Sequence, residues 1–110
     1  MLTTKESKSL QILEIPMFKS KIYYYKGKFS DFESLLGIEG YSIESNVENA
    51  DGLCYDLEGV QAIWLAPEAS ISVKVHECLH AVLNICANYG FSRSDDELLC
   101  YMLEYLIKSL

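Results

Sequence analysis

His76-Glu77-Cys78-Leu79-His80 is the stretch of this chain whose residue types and spacing could carry chemistry. Residues four apart on a helix share a face, so at ~100° per residue the two imidazoles project about 40° apart and can converge on one cation. Glu77 falls to one side of that pair. From there it stays out of direct coordination yet reaches a water on the ion, whose pKa a zinc-like metal lowers towards ~7, and can take its proton. An aspartate would fall a methylene short. These are the only 2 histidines of the chain, and burying adjacent imidazoles without partners in an apolar helix would be costly. The competing structural reading is a pair of surface or core imidazoles that happen to stand four apart.

The motif sits in the middle of a helix expected from about Ser70 to Tyr89 and closed by Gly90. Leu83, Asn84 and Ala87 share the histidine face, and the small Ala87 would let a second helix approach beneath it. Val75, Cys78, Val82, Ile85 and Cys86 make an apolar opposite side, so Cys78 belongs to packing and the helix is expected to be buried on several sides. A second helix, about Ser94 to Leu110, must fold back antiparallel after the short Gly90 turn. It is the expected source of a third ligand. Glu97, Tyr101, Glu104 and Lys108 form its polar stripe, with Glu97 the first candidate and Glu104 the reserve. Ser94-x-x-Glu97 also matches a capping box, in which Glu97 only satisfies a backbone N–H, although Ser92 with Asp95 offers an alternative cap. Tyr101 is a candidate donor to a developing oxyanion, set against plain packing.

Ahead of the helices the pattern is that of strands. Gln11 to Ile15 and Met17 to Tyr25 are rich in Ile, Phe and Tyr, with Pro16 confining the first run to an edge or bend. A short helix from Ser30 to Gly37 follows, with Ser30 as its N-cap, and then a polar loop from Ile38 to Gly52 with a brief strand around Tyr41 to Ile43. Leu53–Leu57 and Val60–Leu65 flank Glu58-Gly59 at the spacing of a tight hairpin. Strands followed by a helix pair give an α+β fold: a small antiparallel sheet and two packed C-terminal helices in a single domain spanning 1–110.

Asp and Glu outnumber Lys and Arg by 16 to 9, a net charge of −7. That balance repels phosphate backbones and anionic lipid, so neither nucleic acid nor a membrane is the expected partner, and a neutral or basic peptide or protein is. Met1 to Ser9 read as a polar leader without an apolar signal region, and no run approaches the ~18 apolar residues of a membrane span. The 4 cysteines, Cys54, Cys78, Cys86 and Cys100, lie in apolar periodic segments and read as buried thiols. Cys78 and Cys86 would stand roughly 12 Å apart along one helix, too far for a bridge. A reducing cytoplasm is the expected compartment.

His76-Glu77-x-x-His80 on one helix with Glu97 on the next resembles the gluzincin branch of zinc metallopeptidases, over about the C-terminal forty residues. More narrowly, Ala62-Ile63-Trp64-Leu65, Val75 to Val82 and Asp96 to Tyr101 are similar to small bacteriophage-encoded proteins taken to be metallopeptidases. The resemblance implies a minimal zincin-like domain in which His76, His80 and Glu97 bind Zn2+ and Glu77 is the general base. It also implies that Gln61 to Leu65 is a rail for an extended substrate, and that the host cytoplasm is the setting of a phage-encoded chain. In the larger gluzincins an acidic residue lies one turn past the third ligand. Here Tyr101 stands in its place, so histidine orientation would fall to Asp96 or a backbone carbonyl.

The leading functional expectation is a zinc-dependent hydrolase, most simply a peptidase. The alternative is a non-catalytic, zinc-stabilised binding or assembly protein whose coordination positions are all filled, and a third reading is an acidic interaction module without metal.

Overall fold

Short runs rich in Ile, Leu, Val and aromatic residues build four strands, and the computed structural model describes them within residues 10–15, 18, 20–44, 49–90 and 96–110. β1 (Gln11–Ile15) and β2 (Ser20–Lys26) pair antiparallel, Gln11 opposite Tyr24 and Ile15 opposite Ser20. After β2 comes helix α1 (Phe29–Ile38), then β3 (Gly52–Leu57) and β4 (Val60–Leu65), then α2 (Ile71–Asn88) and α3 (Asp96–Ser109). The sheet order is β1-β2-β4-β3.

The α+β class and the packed C-terminal helix pair agree with the sequence expectation. The sheet is mixed, not wholly antiparallel, because β2 pairs parallel with β4, Ile22 opposite Gln61 and Lys26 opposite Leu65. A parallel pair needs a long crossover, and α1 with the segment after it supplies one. The brief strand expected around Tyr41 to Ile43 is irregular chain. Met1 to Ser9, Pro16, Met17 and Ser92 to Asp95 lie outside the described residues, and with them the polar leader and both capping alternatives for α3.

Side-chain alternation along β2 and β4 divides the interior in two. Ile22, Ile63 and Leu65 face α2 and α3, where they meet Cys78, Val82, Ile85 and Leu106. Tyr23, Tyr25, Ala62 and Trp64 face the other way and are covered by Phe32 and Leu36 of α1. α1 begins one residue before the expected Ser30 cap, at Phe29, and its N-cap Lys28 makes no side-chain cap bond. Aromatic packing supplies what the cap does not: the Phe29 ring stands edge-on to Trp64 at 5.2 Å, and the Trp64 indole N–H donates to the Gly27 carbonyl at 2.8 Å.

The expected hairpin is present. Glu58 and Gly59 both take positive φ, 56° and 96°, the backbone that a two-residue turn with the right twist requires. Asp56 Oδ1 accepts the Gly59 N–H at 3.1 Å and closes the turn. The same oxygen accepts from Gln61 Nε2 at 3.0 Å, while Gln61 Oε1 accepts from Asn84 Nδ2 of α2 at 2.8 Å. Gln61 is fully buried in β4, so both ends of its amide are satisfied, and they tie the hairpin to the motif helix.

Replacing Gln61 by Leu removes the acceptor of Asn84 and the bond to Asp56 while keeping the volume. We expect a loss of about 1–3 kcal/mol, the scale of a half-buried polar group left unmatched, read as a lower midpoint in urea unfolding.

Candidate metal centre

α2 is flanked by the extended N-cap residue Ser70 and the C-cap residue Tyr89, after which Gly90 takes φ 79°. Its apolar positions decide its orientation. Cys78, Ala81, Val82, Ile85 and Cys86 are buried against the sheet and α3, which turns His76 and His80 outward. The helix is therefore open along its histidine face, where the sequence suggested burial on several sides, and Ala87 lies exposed instead of beneath a neighbouring helix.

The two imidazole rings stand 4.8 Å apart, nearly perpendicular at 81°. The His76 side chain is 66% exposed, whereas that of Glu77 is only 8% exposed, and His76 Nε2 lies 4.0 Å from Glu77 Oε2. Ligand atoms of His76, Glu77 and His80 all fall within 4.8 Å of one another, and among the described residues they form the group able to hold a metal ion. Tetrahedral ligation at ~2.0–2.1 Å brings donor nitrogens to roughly 3.3 Å apart, which outward-facing rings can reach by rotation. Two imidazoles beside a carboxyl group also make a donor set suited to a divalent first-row cation.

Glu77 is inserted where the chain has removed a side chain. A Cβ built on Gly52 of β3 would stand 3.1 Å from Glu77 Cγ and 2.9 Å from both Leu65 Cδ2 and Val73 Cγ1. Burial pushes the Glu77 carboxyl above the ordinary glutamate range, and the neighbouring His76 and His80 pull it part of the way back. Cys54 and Cys78 pack nearby as protonated thiols, pushed up to about 12 and about 11, chiefly by burial. Cys54, Cys78 and Cys100 carry free thiols, Cys100 on the surface, and the Cys86 thiol meets Met102 Sδ at 3.9 Å.

β3 is the edge strand on this flank. The Ala66 N–H donates to the Asp51 carbonyl at 2.8 Å, which makes 51 and 66 a hydrogen-bonded pair. By the alternation of an antiparallel ladder, Gly52, Cys54 and Asp56 then turn their own N–H and C=O groups away from β4, to an edge that no strand among the described residues covers. Gln61 to Leu65, expected as a substrate rail, cannot serve as one. β4 is paired on both sides, by β2 and by β3, and has no free backbone groups to offer.

The structure does not bring the other sequence candidates to the histidines. Cys86 meets Met102, and the Lys74 ammonium donates to the Leu110 carbonyl at 2.7 Å, so α2 and α3 run antiparallel. Glu97 precedes Met102 and thus stands level with the end of α2, roughly 15 Å along the axis from His80 at ~1.5 Å per residue. Its reserve, Glu104, is exposed and pairs with Lys108 at 2.9 Å. Tyr101 is on the opposite flank, where it lines an apolar groove with Ile15, Phe18, Leu98 and Tyr105. Asp96 is exposed at the start of α3.

Two contributors were passed over in the sequence. Gly52 read as the end of a loop, and its role depends on a contact with Glu77 that sequence does not display. Gln61 left a signal: a lone amide in the apolar run Val60–Leu65 needs partners, and Asn84, one turn after His80, is one of them.

No protein-family model, curated protein or solved structure matches this chain. Among the described residues no helix is long and apolar enough to cross a membrane.

Two outcomes follow from the setting of Glu77. With its folded pKa raised, the group contributes most to stability below the unfolded glutamate pKa, and that contribution is lost as pH rises through the folded value. Metal-free Glu77→Gln therefore gains stability relative to the parent as pH climbs from the ordinary glutamate range towards neutrality, measured by urea unfolding across pH in chelator. Gly52→Ala forces the new methyl group into Leu65, Val73 and Glu77, and we expect it to destabilise by about 1–3 kcal/mol, as overpacking does, in the same assay.

Proposed function

We propose that this protein is a zinc-dependent hydrolase, most simply a peptidase, whose ion is held by His76 and His80 and whose general base is Glu77. The observation that carries the reading is the Glu77 carboxyl: buried, 4.0 Å from His76 Nε2, and with its pKa raised by that burial. A carboxyl whose proton affinity is raised above that of an exposed glutamate is a stronger base for taking a proton from water.

Zinc, when bound, would supply Lewis acidity that polarises a carbonyl and acidifies a water. His76 and His80, exposed on the solvent side of α2, would hold the ion where a substrate can arrive. Glu77, set back against β3, accepts the proton of the attacking water and passes it to the leaving amine. The free edge of β3 offers the outward N–H and C=O groups of Gly52 and Cys54 to an extended peptide, by the same pairing that adds a strand to any open sheet. The donors from this chain are two imidazoles, so Glu97 as third ligand and Tyr101 as oxyanion donor are not part of the proposal. Acidic composition, at a net charge of −7, favours neutral or basic peptides over nucleic acid.

The test is a peptide-library cleavage assay on zinc-loaded protein with two variants. Glu77→Gln should retain zinc and lose about 10²–10⁴-fold in turnover, the range of a general base. His80→Ala should lose both. Equal activity of parent and Glu77→Gln, or no cleavage by any zinc-loaded sample, would remove the hydrolase reading.

A further inference from the structure

On a chain with 16 acidic and 9 basic residues, the outer face of α2 carries no acidic residue, lysine or arginine of the helix itself. Ile71, Ser72, Val75, Leu79 and Ala87 are exposed there beside the two histidines. The charged residues of the helix are turned elsewhere: Glu77 is buried, and Lys74 is engaged with the Leu110 carbonyl. A solvent-facing helix surface ordinarily carries charged residues, and an apolar one beside polar groups marks a place where something docks. Ile71 is 66% exposed and Leu79 41%, so large apolar side chains stand in water next to the candidate ligands.

We infer that a second copy of this chain docks on the outer face of α2, with His76 and His80 of both copies closing around one zinc ion. The inference rests on the metal-site reading of these histidines and adds a partner and a closed state to it. Zinc takes four donors in a closed site, and among the described residues one chain offers two imidazoles, with Glu77 set back against β3. A twofold pairing doubles the set and fills it, since an isologous contact presents the same patch twice. Charge selects the same face. Two chains of −7 repel, but here they can approach without opposing like charges, and a divalent cation between them offsets part of the repulsion.

Apolar contact alone will not hold the pair. Seven exposed side chains are far fewer than the ~20–30 residues a side of a stable interface. Pairing is therefore zinc-dependent, and the paired form shuts the site that a lone chain leaves open to water and peptide.

The experiment is sedimentation velocity on the full, untagged chain with zinc sulfate added at half an equivalent per chain, zinc uptake being measured on the same samples. The expected result is a twofold rise in mass, reversed by EDTA. Leu79→Lys, which keeps both imidazoles and places a charge on the face, should take up zinc and stay at the mass of one chain. A parent that binds zinc yet remains a single chain overturns the inference and leaves the metal-site reading standing, and so does a Leu79→Lys chain that pairs like the parent. A parent that takes up no zinc overturns both.

Discussion

Between α2 and the sheet, the buried amide of Gln61 accepts from Asn84 on the helix and donates to Asp56 on the hairpin, and this bridge sets the rotation of the motif helix. Apolar packing fixes which broad side of α2 faces inward, but side chains such as Val82 and Ile85 tolerate some roll. An amide buried in β4 does not. If the helix turned away, the Gln61 carbonyl oxygen would lose its amide donor and keep only the weak Cys54 thiol contact at 3.7 Å, in a place water does not reach. With Asn84 held, Glu77 two turns earlier is held against Gly52, and the histidines are held outward. The geometry of the candidate centre thus rests on the apolar packing of α2 together with one polar contact that takes no part in its chemistry.

Gly52 is the second half of that arrangement. The strand beside α2 has no side chain at the point where Glu77 enters, so the carboxyl can be buried without displacing Leu65 or Val73. Burial raises its pKa, and proximity to the imidazoles limits the rise. Among the described residues the same edge strand pairs with β4 alone, so its outer backbone groups have no strand partner there. Packing, proton affinity and the edge of the sheet thus meet at the few residues around Gly52 and Glu77.

Much of this was legible in the sequence, where the signal is local. The motif helix, expected from Ser70 to Tyr89, runs from Ile71 to Asn88, and the Glu58-Gly59 turn falls where its spacing puts it. His76 and His80 gather because residues four apart on a helix share a face in any fold, and Glu77, next to His76 in the chain, lies to one side of them. What the sequence did not disclose depends on pairing between distant segments. Nothing in Tyr23-Tyr24-Tyr25 states that β2 will pair with β4, and so nothing marks Gln61–Leu65 as an interior strand unable to guide a substrate. The distance of Glu97 from His80 has a similar origin. It is set by how far α3 slides along α2, a register decided by Met102 against Cys86 and Leu110 against Lys74. The polar stripe on α3 is real, but a stripe on one helix does not say which side of its neighbour it meets.

The claim on which the rest depends is that His76 and His80 bind one metal ion together. Because the chain has only 2 histidines, its imidazole nitrogens can be followed without overlap by nitrogen NMR of histidine-labelled protein during a zinc titration. The account predicts that one ring nitrogen of each histidine moves in step and saturates at no more than one zinc per chain, with Glu77→Gln behaving as the parent does. Imidazole signals that stay where they are, or a single histidine responding alone, would contradict it.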